Sequence, residues 1–158
     1  MDFWFTNDPT AMVWIYKYNW EIILDEQLHE TWLTNSDIDR QIRNKWIDIE
    51  NDETYWDSAE PKSIEELSRM WWNIKWAVKW KDSVKFGIDV LKQYTIKVTA
   101  TSTNLIKEKK KYKWAVDKNW KATNIPIDKF NHLMDATRYW WVPKLQKWEQ
   151  EPWLHILW

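Results

Sequence analysis

Gly87 is the single glycine in a chain of 158 residues, where usage of roughly 7% in soluble domains would give about eleven. Glycine alone enters the left-handed region of backbone space freely, because every other residue brings a Cβ against the neighbouring carbonyl. The chain must therefore turn tightly with residues that resist turning. Asn19-Trp20 sits between two strand-like segments where a two-residue hairpin takes Asn-Gly, and Asp117-Lys118-Asn119-Trp120 separates two more, again with tryptophan where glycine is expected after asparagine. In both, a tryptophan stands where positive φ is wanted. The deficit in glycine is matched by an excess of tryptophan, 17 residues in all.

The length fits one domain with a real core. Without cysteine, a disulfide framework and thiolate metal sites are excluded. No apolar run approaches the roughly 18 residues of a membrane span. The start, MDFWFTNDPT, lacks the basic region and apolar core of a signal peptide. The expectation is a soluble intracellular protein with no membrane partner. Formal net charge is −1, but residues 1–60 carry fourteen acids against four bases, and residues 61–158 carry ten against nineteen. Such asymmetry points to nucleic acid or cations, or to acids and bases that pair across the fold.

From Met1 to Glu30, β-branched and aromatic residues predict three strands (MDFWF, AMVWIYKY, EIILDEQLHE) broken at TNDPT and YNWE. Thr34 or Asn35 then caps a helix with Asp37 in its first turn and Ile38 and Ile42 facing inward. Thr54 to Trp56 read as a short strand running into Asp57, and Pro61 opens a helix with Ile64 and Leu67 inside. Asn73 to Val78 and Ile96 to Thr99 read as further strands, separated by a helix that Asp82 or Ser83 caps. A helix from about Ser102 to Lys111 precedes a hairpin, Tyr112 to Val116 with Lys121 to Ile125. Pro126 introduces a closing helix from Asp128 to about Tyr139, and beyond Pro143 the tail shows no period and reads as loosely attached. This order predicts a mixed sheet with helices on its faces.

Three acids occupy positions that such a sheet brings together: Asp2 in the first strand, Asp57 at the end of the strand after the first helix, and Asp135 in the last helix. Clustered carboxylates repel and call for a cation, and hard oxygen ligands select Mg²⁺ or Mn²⁺ over Zn²⁺. Two such ions about 3.5–4 Å apart activate water and stabilise the leaving oxygen of a phosphodiester. For each acid taken singly, a cap or a solvated charge is the plainer reading.

The segments MDFWFTNDPTAMV, YWDSAEPKSIEEL, VKWKDSVKFGIDVLKQY and DKFNHLMDATRY, in this order, closely resemble the nuclease domain of phage large terminase subunits. The resemblance runs from about residue 1 to residue 141, with 142–158 left as a C-terminal tail. Together the segments are specific, whereas DSAEP alone is a weak signal. The resemblance implies an α/β, ribonuclease H-like fold: a mixed sheet of three antiparallel strands, then alternating helices and parallel strands, with helices on both faces. It implies an endonuclease that cuts concatemeric double-stranded DNA during genome packaging with two divalent ions, Mg²⁺ or Mn²⁺. Carried over by position, Asp2, Asp57 and Asp135 match the family's metal ligands. His132 matches a histidine often placed near the metals, and lies three residues before Asp135 on the same helical face. A histidine hydrogen-bonded at the core edge is the equal alternative. Asp8 is expected to order the TNDPT turn, and His29 and His155 match no motif.

DNA contact is expected from the basic part: Lys109, Lys110, Lys111 and Lys113 in KEKKKYK, and Lys79, Lys81 and Lys85 beside the loop before a helix. Such charges bind phosphates without reading sequence; for KEKKKYK alone, a solvated helix face is the commoner reading. The implied partners are a terminase ATPase domain or chain, the small terminase subunit and the portal, in the cytoplasm of an infected bacterial host. Other ribonuclease H-like nucleases, of resolvase or transposase type, and an inactive fragment that only binds, are the competing readings.

Two departures from the family stand out. The chain has no G-x-x-x-x-G-K-[ST] and so no ATPase motif of its own. It starts one residue before Asp2, where the family's first strand begins earlier, so the expectation is a clipped strand in a split or truncated gene product, or a nuclease piece whose ATPase is encoded separately. The second departure is tryptophan itself. Trp4, Trp20, Trp32, Trp46, Trp71, Trp80 and Trp120 fall at turns, helix ends or close-packed positions where the family and backbone geometry favour glycine. So uniform a replacement is what results when a gene that uses UGA for glycine is translated with UGA as tryptophan.

Overall fold

A computed structural model describes residues 8–19, 21–77, 79, 83–127 and 131–150. The segment expected to form the first strand, with Asp2 and Trp4, lies outside these, as do Trp20, Trp80, Lys81 and His155.

β1 (Thr10–Tyr18) and β2 (Glu21–Glu30) form an antiparallel hairpin in which Tyr18 faces Glu21. Between them Asn19 has φ 53°, the left-handed value a two-residue connection asks for. β5 (Thr95–Val98) adds to β2 in parallel, Glu21 facing Thr95 and Leu24 facing Val98, so the sheet β1-β2-β5 is mixed. β3 (Thr54–Trp56) and β4 (Ile74–Trp76) form a separate parallel pair, and β6 (Trp114–Val116) and β7 (Ala122–Pro126) an antiparallel one.

The helices are α1 (Asn35–Arg43), α2 (Pro61–Arg69), α3 (Ser83–Leu91), α4 (Thr103–Lys111) and α5 (His132–Gln150). Thr34 caps α1 in a capping box: Asp37 N–H donates to its hydroxyl at 3.2 Å, and the Asp37 carboxylate accepts from the Thr34 N–H at 3.1 Å. Pro61 begins α2 at the position where its missing N–H costs nothing.

A bulge decides how the sheet is covered. Met12 faces Leu28 but Val13 faces Glu26, so Gln27 is an extra residue in β2. Without it Ile22, Leu24 and Leu28 would share one face; with it Leu28 turns to the other. Ile22, Leu24 and Ala11 pack with Leu91 of α3, Leu105 of α4 and Leu133 and Trp141 of α5. Leu28 and Met12 pack on the opposite face with Ile38 and Ile42 of α1, Ile64 and Leu67 of α2, and Trp56. Helices therefore cover both faces, as the mixed-sheet reading expected.

The chain departs from the sequence reading at its end. α5 continues through Pro143 to Gln150, where a loosely attached tail is expected beyond Pro143. The extension is tied down: Lys144 Nζ donates to Glu53 at 2.5 Å, beside β3. In the β6–β7 turn, Asp117 N–H donates to the Lys121 carbonyl at 2.8 Å and Trp120 N–H to the Asp117 carbonyl at 3.1 Å. This is a three-residue connection, and only its last residue, Trp120, has positive φ. Among the described residues no helix is long and apolar enough to cross a membrane.

Candidate active site

Asp57 follows directly on β3, and its side chain is buried. The strand ends there because the aspartate folds back on its own backbone: Ala59 N–H donates to Asp57 Oδ1 at 2.9 Å, turning the chain toward Pro61 and α2. Its other oxygen, Oδ2, accepts the Tyr139 hydroxyl at 2.9 Å. The Lys79 ammonium, on the loop after β4, pairs with Oδ1. Burial pushes the Asp57 carboxyl up, but Lys79, the Ala59 amide and Tyr139 together outweigh it and hold the group below the usual carboxylate range. An ionised carboxylate is thus built into the end of β3.

Asp135 lies one turn before Tyr139 on α5, so both share a face. Arg138 Nε approaches Asp135 Oδ1 at 3.3 Å, and Asn131 Nδ2 donates to Oδ2 at 3.0 Å. The Arg138 guanidinium also lies over the Tyr139 ring, 4.9 Å from its centroid, and Lys79 Nζ lies over the same ring at 5.1 Å. Asp57 and Asp135, far apart in the chain, are in this way joined through one tyrosine and two cations. His132 belongs to the same helical turn, and its Nε2 lies 3.7 Å from Asp8 Oδ1.

The N-terminus of α5 is anchored by Glu108, which is buried inside the lysine-rich α4. Glu108 Oε2 accepts the N–H groups of Leu133 at 2.8 Å and Met134 at 3.3 Å, a carboxylate set on the positive end of the helix. His29 Nε2 lies 3.3 Å from Glu108 Oε1, an electrostatic approach and not a hydrogen bond. The turn that carries His132 and Asp135 is thereby held against β2 and α4.

Of the residues singled out from sequence, the structure brings Asp57, Asp135 and His132 onto adjoining elements and adds Lys79, which was expected among the DNA-contacting lysines. Asp2 and Lys81 lie outside the described residues. Lys85, Lys109, Lys110, Lys111 and Lys113 are exposed. Sequence reasoning passed over Tyr139, Arg138 and Glu108. The first two sit four and three residues after Asp135, a spacing that places them beside it. Glu108 carried the signal of being the lone acid in a lysine run, three residues after the inward-facing Leu105.

The donors are carboxylate oxygens and one imidazole, hard enough for Mg²⁺ or Mn²⁺. Among the described residues no group of three or more His, Cys, Asp or Glu side chains comes close enough to hold a metal ion. Asp57 and Asp135 instead have their charge met by Lys79 and Arg138.

Comparison with known proteins places this fold. The nuclease domain of the large terminase g2p from bacteriophage SPP1, crystallised with bound Mn, matches with a TM-score of 0.77 and 28% identity over 95% of this chain and 83% of that one. The large terminase of a thermophilic bacteriophage shares the fold, with a TM-score of 0.72 and 18% identity over 91% of this chain. This chain spans 38% of that protein's length. No curated protein sequence matches the chain. The family model for the terminase RNase H-like domain matches residues 2–141, and the chain belongs to that family.

Proposed function

We propose that this chain is the metal-dependent endonuclease of a phage large terminase, cutting concatemeric double-stranded DNA during genome packaging. The observation that carries the reading is the junction of Asp57 with α5 through Tyr139, within a terminase RNase H-like domain. Through that junction an ionised, buried carboxylate meets the helix that bears Asp135 and His132. The Mn bound by the SPP1 domain supports divalent-metal use.

Asp57 and Asp135, completed by Asp2 on the family pattern, would hold two Mg²⁺ or Mn²⁺ ions. When bound, such ions supply Lewis-acid stabilisation of the phosphodiester and a nucleophile at neutral pH. The chain's own residues prepare that site. Tyr139 and the Ala59 amide fix the Asp57 carboxylate in orientation, leaving it charged. Lys79 and Arg138 each set a positive charge against one of the two acids, Asp57 and Asp135 respectively, and His132 supports the site from the same turn of α5. The exposed Lys85, Lys109, Lys110, Lys111 and Lys113 offer phosphate contacts; Lys81 is included from its place in the sequence. The partners of this reading are a terminase ATPase domain or chain, the small subunit and the portal, in the cytoplasm of an infected bacterium.

The test is plasmid nicking with Mg²⁺ or Mn²⁺ by the chain and by its Asp57→Asn and Asp135→Asn variants. Loss of nicking in both is expected, and unchanged cleavage in either overturns the assignment of that residue. Preference for branched DNA or RNA–DNA hybrid over linear duplex would instead identify another ribonuclease H-like nuclease.

A further inference from the structure

Five non-glycine residues have positive φ among the described residues: Asn19 at 53°, Trp32 at 64°, Trp46 at 60°, Trp71 at 69° and Trp120 at 60°. Asparagine tolerates the left-handed region because its short polar side chain bonds locally, but a bulky aromatic there is an outlier. Every described tryptophan that the sequence placed at a glycine-like position is in this set.

The hydrogen bonds around them are those of glycine motifs. Trp71 N–H donates to the Ser68 carbonyl at 3.1 Å and Trp72 N–H to the Leu67 carbonyl at 3.3 Å, the paired bonds of a Schellman motif closing α2, with Trp71 at its glycine position. Trp46 N–H donates to the Arg43 carbonyl at 3.0 Å in the turn that leaves α1. Trp120 closes the three-residue β6–β7 connection at the left-handed position. Trp32 turns the chain between β2 and the Thr34 cap.

The four side chains do nothing that an indole does. They are 74%, 94%, 77% and 85% exposed at Trp32, Trp46, Trp71 and Trp120 respectively. Trp72 is the internal control, one residue along from Trp71. It is 4% exposed, its Nε1 donates to Asp39 Oδ1 at 2.8 Å, and its ring meets Trp56 edge-on at 5.6 Å. One dipeptide thus holds a tryptophan the core needs and a tryptophan the backbone rejects. Recruitment of exposed indoles to a stacking or docking surface would account for exposure, but it would not select left-handed backbone at all four.

We propose that Trp32, Trp46, Trp71 and Trp120 are glycine in the protein as its host makes it, their codons being UGA decoded by a glycine-accepting tRNA, while Trp72 is encoded by UGG. The fold then has glycine where α1, α2 and the β6–β7 hairpin require it. The partner this implies is a tRNA with a UCA anticodon charged with glycine, and the gene is read faithfully only in a host that has one.

The test begins with the five codons and the peptide masses of the protein isolated from infected native host cells. UGA at the four positions, UGG at Trp72, and peptides lighter by the Trp-to-Gly difference at each of the four are expected. UGG at the four codons, or tryptophan masses there, overturns the proposal. A second measurement compares the chain as written with the W32G/W46G/W71G/W120G variant, both made recombinantly. A higher melting temperature for the glycine variant, or folding by that variant alone, supports the proposal; an equal or lower one counts against it.

Discussion

The Tyr139 hydroxyl donates to Asp57 Oδ2 at 2.9 Å across 82 residues of sequence, and both groups are buried. The bond fastens the last helix to the end of β3, so the distance between the elements bearing Asp57 and Asp135 depends on it. Tyr139→Phe keeps the ring, and with it the approach of Lys79 and Arg138, while deleting the donor. A charged, buried acceptor that loses one partner costs about 1–3 kcal/mol. Apparent Mn²⁺ affinity and nicking rate should each fall about 10–100-fold, as for loss of an outer-shell partner. Metal-titrated nicking checks this; a variant that melts lower but binds and cuts as before would leave Tyr139 a purely structural contact.

Lys79 gives a prediction that distinguishes stability from metal binding. Its ammonium meets the Asp57 charge from a half-exposed position. Lys79→Met should lower the melting temperature by roughly 2–4 °C, the effect of about 1 kcal/mol in a chain of this size, discounted for solvent screening. Divalent ions would then supply the missing positive charge, so Mn²⁺ should raise the variant's melting temperature by more than the wild type's. Equal shifts in the two proteins would show that the ion does not reach Asp57.

Glu108 is set against the start of α5, and truncating it strips two amides there of their acceptor. Glu108→Ala should cost about 2–3 kcal/mol, between the value of a helix cap and that of a buried unsatisfied pair. Glu108→Gln keeps an acceptor oxygen and loses the charge, so it should cost less than half as much. Thermal melts of the two variants check the order; equal losses would mean that packing, not the cap, is what Glu108 supplies.

On the proposed reading, the exposed lysines Lys109 at the end of α4 and Lys113 just beyond it contribute to the salt response of DNA binding. Each phosphate contact removed should lower the slope of log K against log salt by about 0.9, so Lys109→Gln with Lys113→Gln should lower it by up to about 1.8. Filter binding of linear duplex at several salt concentrations reads the slope. An unchanged slope would mark these lysines as a solvated helix face.

Local chemistry was legible in the sequence, whereas what depends on distant partners was not. The Thr34–Asp37 capping box, Pro61 at the head of α2 and Asp57 at the strand end are decided by neighbours within three or four residues, and each falls where the residues said. The bulge at Gln27 is different: strict alternation of Ile22, Leu24 and Leu28 favours one face, and only the two opposed cores reveal the flip. Tyr139 stood only as the approximate end of the closing helix, because the acceptor of its hydroxyl is on another element. Glu108 read as one charge among lysines, since its partners are backbone amides of α5. The run of α5 past Pro143 was hidden because proline ends most helices, while here Lys144 is held from outside by Glu53.

That last contact makes the end of α5 sensitive to acid. Lys144 donates to Glu53 Oε2 at 2.5 Å and lies over the Tyr55 ring, and Tyr55 Oη donates to the same oxygen at 3.1 Å. The Lys144 bond foremost, with help from Tyr55 and against partial burial, holds the Glu53 carboxyl below its usual range. Tyr55, pushed up to about 12 by burial first and the Glu53 charge second, stays protonated throughout. Because the folded-state value is depressed, the contact stabilises fully above the ordinary glutamate value of about 4.3 and is lost as pH falls through the depressed one. Glu53 is a third exposed, so its contribution is about 0.3–1 kcal/mol. Glu53→Gln should therefore melt below the wild type by roughly 1–4 °C at neutral pH, and the two curves should converge in acid. A gap that persists unchanged through the acid range would mean that the ion pair contributes nothing, and that α5 extends past Pro143 for reasons of packing alone.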